Sequence, residues 1–195
     1  MEFTTFPKIP RLRRDVVITE KLDGTNAQVV ISPASHAGEL LNIVASNAEF
    51  VMRVGSRSRW ITPGKSTDNY GFAGWCLDNA EQLFTMGEGQ HFGEWFGSGI
   101  QRNYGLAEKR FALFNTARWG AHNPNTPQCC TVVPVLYTGP DATAVERCVQ
   151  QLRDTGSVAA PGFMNPEGVV VYHTAARTLS KVTLEKDDSP KSVEA

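Results

Sequence analysis

The chain has 195 residues, 41% hydrophobic and 20% charged, a balance that fits a globular protein and excludes a disordered one. A net charge of −1 leaves no global basic field for nucleic acid, so any such contact must come from local clusters. No apolar run is long enough to cross a membrane, and the first residues lack the basic-then-apolar layout of a signal peptide.

Cys76, Cys129, Cys130 and Cys148 form no C-x-x-C pair, and the four histidines show no metal-ligand spacing. The expectation is a cytoplasmic protein with free thiols and no membrane contact.

Residues 1–14 read as irregular, because Pro7 and Pro10 prevent regular pairing, and they carry a basic cluster at Arg11, Arg13 and Arg14. Two strands fill residues 15–32 around Glu20-Lys21-Leu22-Asp23-Gly24-Thr25-Asn26. Asp-Gly tolerates the positive φ of a tight turn, so the residues alone predict a hairpin with a lysine beside it. Residues 33–41 read as a loop. Strands are expected near 42–46 and 50–56, and the second basic group (Arg53, Arg57, Arg59 and Lys65) falls in and after the latter.

From Asp68, the residues Phe72, Trp75, Cys76, Leu77, Ala80, Leu83 and Phe84 recur at helical spacing, ended by Gly87 and Gly89. Residues 91–96 read as a strand whose Phe92, Glu94 and Phe96 share a face, leaving a carboxylate between two rings. A glycine-bounded loop over 98–105 carries Arg102. Further strands are expected over 111–115, 131–137, 166–172 and 178–184, the last two paired across a short turn.

A second helix is expected over 141–154, with Val145, Cys148, Val149 and Leu152 inward and Gly156 as its cap. The tail, 185–195, is charged and expected to be loose. Many strands and two helices out of strict alternation predict an α+β fold built on antiparallel sheets. No repeat or linker divides the chain, so one domain over 1–195 is expected.

Several polar residues sit in or beside otherwise apolar strands, in the order Lys21, Arg57, Glu94, Glu167, Lys181, with the aromatic Phe111 between Glu94 and Glu167. This series resembles the ATP-dependent RNA ligases of the covalent nucleotidyltransferase superfamily. Glu20 to Asn26 resembles the nucleophile motif, lysine-x-aspartate-glycine, with a Thr-Asn ending. Ser56-Arg57 is similar to the next motif, with Arg59 competing for the place. Phe92-Gly93-Glu94-Trp95-Phe96-Gly97-Ser98-Gly99-Ile100-Gln101 is similar to the third. Arg110-Phe111-Ala112-Leu113-Phe114 is similar to the aromatic strand after it, where Phe114 competes with Phe111. Glu167-Gly168-Val169-Val170-Val171 and Leu179-Ser180-Lys181-Val182 are similar to the last two. The family often has two lysines, one residue apart, in the last motif. Here one is missing or displaced to Lys186.

The resemblance implies a nucleotidyltransferase domain of antiparallel sheets with flanking helices and a nucleotide pocket between the sheets. It leaves no room in 195 residues for an accessory OB or helical domain. It implies that Lys21 attacks ATP to form lysyl-AMP, that AMP passes to an RNA 5′-phosphate, and that a 3′-hydroxyl then displaces it. Glu20, Asn26, Arg57, Glu94, Phe111, Glu167 and Lys181 would bind the nucleotide, with Glu94 on the ribose and Phe111 on adenine. Lys181 would add catalytic charge, and Asp23 would orient the lysine or shape the turn. Glu167 would hold Mg2+ or Mn2+. Arg102 and the Arg11, Arg13, Arg14 cluster would meet RNA phosphates.

Two other readings stay open. One is a DNA ligase or capping guanylyltransferase on the same scaffold. The other is an adenylation module that needs a protein partner to seal ends, or that has lost activity.

Overall fold

The computed structural model describes residues 2–36, 41–141 and 143–185. The chain folds as two compact units, one from residues 1–21 and 134–195 and the other from Leu22–Val133.

In the first unit, β1 (Val16–Lys21), β9 (Val135–Gly139), β10 (Gly168–His173) and β11 (Thr178–Thr183) form a four-stranded sheet in the order β11-β10-β1-β9. All three pairings are antiparallel. One helix, α3 (Ala144–Thr155), buries Ala144, Cys148, Val149 and Leu152 against Val16, Ile18 and Val169. Strand alternation therefore sends Val16, Ile18 and Glu20 inward, and Val17, Thr19 and Lys21 to the other face. Gly156 ends the helix at φ 78°, with its N–H donating to the Leu152 carbonyl at 3.0 Å, as expected for the cap.

The second unit holds β2 (Thr25–Pro33), β3 (Ile43–Ser46), β4 (Phe50–Ser56), β5 (Trp60–Ile61), β6 (Gly89–Gly97), β7 (Lys109–Leu113) and β8 (Cys130–Val132). Their order is β3-β4-β2-β6-β7-β8, with β5 added on β4. Every pairing is antiparallel except β7 with β8. Two short helices, α1 (Phe72–Asp78) and α2 (Ala80–Phe84), contribute Phe72, Ala73, Cys76 and Leu83 to a core with Val29, Ile31, Met52, Val54, Trp95 and Phe111. Within it Phe72 lies 4.9 Å from Phe111 and 5.3 Å from Trp95, ring to ring.

The α+β class and the antiparallel sheets agree with expectation, and three local readings are corrected. The strands around Asp23-Gly24 do not form a hairpin: β1 pairs with β10 and β9, and β2 pairs with β4 and β6. Gly24 serves close packing instead, since a Cβ there would lie 2.3 Å from the Trp95 carbonyl oxygen. The single strand expected over 131–137 is two strands in different sheets, broken at Pro134, which has no N–H to continue a ladder. The long helix from Asp68 is two helices broken at Asn79, and Leu77 is exposed. Asp68 stands ahead of the first, its carboxylate accepting from the Ala73 and Gly74 N–H groups at 2.8 and 3.0 Å. Residues 37–40 of the expected loop and 186–195 of the expected tail lie outside the described residues.

Candidate active site

The expected site residues fall into two groups, one in each unit. In the first, Lys21 ends β1 on the face away from α3, directly across from Gly168. Its Nζ lies 2.6 Å from Glu167 Oε2, with both side chains mostly but not wholly covered. The two residues are 146 positions apart in sequence, and antiparallel pairing of β1 with β10 is what joins them. Gly168 is required there, because a Cβ would meet the Val182 carbonyl oxygen at 2.1 Å.

Lys181 pairs with Val170, which pairs with Thr19, so Lys181 shares the Lys21 face one row away. Thr183, two residues on from Lys181, lies across from Gly168 in the Lys21 row. Lys186 lies outside the described residues.

Glu20 faces the opposite way and is buried. Its Oε1 accepts from Ser157 Oγ at 2.6 Å, and its Oε2 from the Val158 and Ala159 N–H groups at 2.8 and 2.9 Å. The carboxylate thus bonds the loop after α3, on the face opposite Lys21. Arg11, Arg13 and Arg14 are exposed.

In the second unit, the Asp23 N–H donates to the Tyr104 hydroxyl at 2.8 Å, and Asp23 Oδ2 accepts from Arg102 Nε at 3.0 Å. Arg102 is therefore the partner that fixes Asp23, and its guanidinium is partly neutralised by that carboxylate. The Gly24 N–H donates to Glu94 Oε1 at 3.0 Å, and Asn26 sits directly across from Glu94. Ala112 lies across from Glu94 on its other side. Arg57 follows β4 and is exposed. Its competitor Arg59 donates to the backbone carbonyls of Thr67 and Asp68 at 3.4 and 3.3 Å.

Phe111, expected on adenine, lies on the core side of β7. It is fully buried across from Trp95, in the core with Phe72 and Trp75, on the face opposite Glu94. Its ring covers Gly93, where a Cβ would meet it at 2.5 Å. Phe114 extends the Glu94 face: its N–H donates to the Phe92 carbonyl at 3.0 Å, and its side chain is 39% exposed.

Two residues escaped the sequence reading. Tyr104 is buried in the loop after β6, at φ 54°, with its ring edge-to-face on Phe96. Ser157 holds Glu20. A tyrosine in a glycine-bounded loop was a visible signal, whereas nothing in the sequence around Ser157 marked it. Among the described residues, no three His, Cys, Asp or Glu side chains cluster to hold a metal. No helix among them is long and apolar enough to cross a membrane.

A family model described as RNA ligase matches residues 14–188, and the chain belongs to that family. Solved structures of Naegleria gruberi RNA ligase share its fold. A mutant with ATP and Mn aligns at TM-score 0.59 and 18% identity, covering 91% of this chain and 52% of that one. A mutant with AMP and Mn aligns at 0.57 and 19%, covering 88% and 50%. The same ligase with PPi aligns at 0.56 and 18%, again covering 88% and 50%. The chain thus spans about half the length of these ligases. No curated protein matches the sequence significantly.

Proposed function

We propose that this chain adenylates itself on Lys21 and joins RNA 5′-phosphate and 3′-hydroxyl ends at the expense of ATP. The observation that carries the reading is Lys21 set 2.6 Å from Glu167 in a member of the RNA ligase family. The Naegleria ligase structures with ATP and Mn, with AMP and Mn, and with PPi support ATP as the nucleotide and a divalent metal beside it.

Lysine is a cation at neutral pH, with a reference pKa of about 10.4, so Lys21 must shed a proton before its nitrogen carries a free pair. Glu167 Oε2 is within reach to take it. The Nζ lone pair then attacks the α-phosphorus of ATP. A P–N bond forms, the bond to the bridging oxygen breaks, and pyrophosphate leaves with that electron pair. An oxygen of the RNA 5′-phosphate next attacks the same phosphorus, breaking the P–N bond and returning the lysine amine. Finally the 3′-hydroxyl attacks the 5′-phosphorus, its proton is lost, and AMP departs from a new phosphodiester.

A hard cation fits one carboxylate supplemented by phosphate oxygens and water, so Glu167 with the triphosphate suits Mg2+ or Mn2+ without a protein cage. Bound there, it would neutralise charge on the transferred phosphoryl group and on pyrophosphate. Lys181 and Arg57 add positive charge for phosphates. Glu94 accepts from ribose hydroxyls, Asn26 supports the same end of the nucleotide, and Phe114 takes the adenine stacking first expected of Phe111. Asp23 is held by Arg102 and Tyr104 so that the residue following Lys21-Leu22 does not wander. We place the protein in the cytoplasm.

Incubation with α-labelled ATP and Mg2+ or Mn2+, then denaturation on a gel, tests the reading. Wild type should carry label, and Lys21→Ala should carry none. Labelled GTP should label poorly, and preferential labelling by GTP would favour the capping reading. No label under any metal condition would sink the ligase reading. A chain that labels itself but seals no RNA ends would assign the grip on RNA to a protein partner.

A further inference from the structure

The sheet of the second unit has one face in the core and one outside it, and the outside face carries a row of four residues that ends beside Phe114 and has no assigned role in adenylation. Trp60 on β5 lies across from Gly55 on β4, Gly55 across from Gln28 on β2, and Gln28 across from Phe92 on β6. The row runs straight across the strands. Trp60 is 41% exposed and Phe92 44%. Neighbouring strands lie about 4.8 Å apart, so the two rings are roughly 14 Å apart, far enough to engage separate groups.

The floor between the rings is low and polar. Gly55 has no side chain, and a Cβ there would meet Gln28 Nε2 at 3.0 Å, so the glutamine lies flat across it. Gln28 Nε2 donates to the Ser56 carbonyl at 3.2 Å, and its Oε1 accepts from Gln90 Nε2, which pins the amide in place. Two rings thus stand above a fixed floor of amide groups. An apolar partner surface would leave that floor unmatched, whereas nucleobases offer both a π face for each ring and polar edges for the amides.

The charge also fits an anionic strand. The Arg53 guanidinium lies 5.7 Å from the Trp60 ring centroid, and no carboxylate occupies the row. Asn26 and Glu94 form a row two residues further along the strands, about 7 Å away. A strand lying on the aromatic row would end beside the residues assigned to the nucleotide.

We propose that Trp60, Gln28 and Phe92, with Arg53, form a stacking platform for unpaired nucleobases of the RNA strand being joined. The proposal rests on the RNA ligase reading for the identity of its ligand. Each ring stacks one base, and Arg53 meets a phosphate between them.

The test is fluorescence anisotropy of a labelled single-stranded, 5′-phosphorylated RNA with the full chain, alongside self-labelling with ATP. Trp60→Ala and Phe92→Ala should each weaken RNA binding by roughly 5- to 100-fold, the range for one lost base–aromatic stack, while labelling with ATP stays within about two-fold. Trp60→Phe keeps a ring and should retain most of the affinity, separating stacking from misfolding. Arg53→Gln should flatten the salt dependence of binding. RNA affinity within about two-fold of wild type in both alanine variants would overturn the platform. So would loss of ATP labelling with RNA affinity unchanged, which would give the row to the nucleotide. If wild type binds RNA, loses it in Trp60→Ala and never labels with ATP, the platform stands and the ligase reading falls.

Discussion

The two faces of the second unit's sheet are built from the same strands and behave as different materials. On β6, His91, Gly93 and Trp95 point into the core, while Phe92 and Glu94 point out of it. The inner face is closed by α1 and α2 and stacked with rings: Phe72 and Trp75 each lie within 4.9 to 6.1 Å of Trp95 and of Phe111, and 5.9 Å from each other. The outer face holds Asn26, Gln28, Glu94, Phe92 and Phe114, a mixture of polar groups and part-exposed rings. The first unit repeats the division on β1, where Ile18 and Glu20 turn inward and Lys21 outward. A strand's period of two lets a single segment hold a fold together with one residue and do chemistry with the next.

Breaking either face separately tests this division. The largest effect is expected from Phe111→Ala, which empties a fully buried aromatic site and should lower unfolding free energy by about 3–5 kcal/mol. Phe114→Ala should cost about 1 kcal/mol or less while weakening ATP binding. Denaturant melts and ATP titrations of the two variants give the comparison, and a reversed pattern would mean the faces are misassigned.

Next comes Glu20→Ala. It strips the acceptor from Ser157 Oγ and from two backbone N–H groups, so a loss of about 1–3 kcal/mol is expected. Glu20→Gln, which keeps one acceptor, should lose less. If Glu20→Gln instead left the melt untouched and abolished ATP labelling, the carboxylate would belong to the site after all.

The smallest effect is a pH dependence from His91. Burial holds its imidazole below the ordinary value of 6.5, opposed by the hydrogen bond to the Gly87 carbonyl and aided by the Arg118 charge. The unfolded chain then binds more protons than the folded one below pH of about 6.5, so stability is full above that value and falls as pH drops toward the lowered folded pKa. Melting midpoints measured from pH 7.5 to 5 should decline, and His91→Phe should flatten the decline. A midpoint rising toward acid in wild type but not in the variant would contradict the sign.

Much of this was legible in the sequence. Most strands, the second helix with its Gly156 cap and the shared face of Phe92, Glu94 and Phe96 follow from periodicity and cap signals, although Phe96 on that face is buried under Tyr104 while Phe92 is open. The hairpin at Asp23-Gly24 did not, because the local signals of a turn are the same whether the next strand returns or departs. What decides is the partner strand, and for Lys21 that partner begins at Gly168. Phe111 and Phe114 are three apart, on opposite faces, and only the register with Glu94 tells which shares the Glu94 face. Glu20 adjoins Lys21 in sequence, yet one step along a strand turns it to the opposite face, which adjacency alone does not reveal.

The central claim is that Lys21 becomes covalently adenylated. Incubation with ATP and Mg2+ or Mn2+, followed by proteolysis and mass mapping, addresses it directly. The account predicts one added adenylate on the peptide carrying Lys21, acid-labile as a phosphoramidate and absent from Lys21→Ala. An adenylate mapped to Lys181 or another residue, or no adduct on wild type, would contradict it.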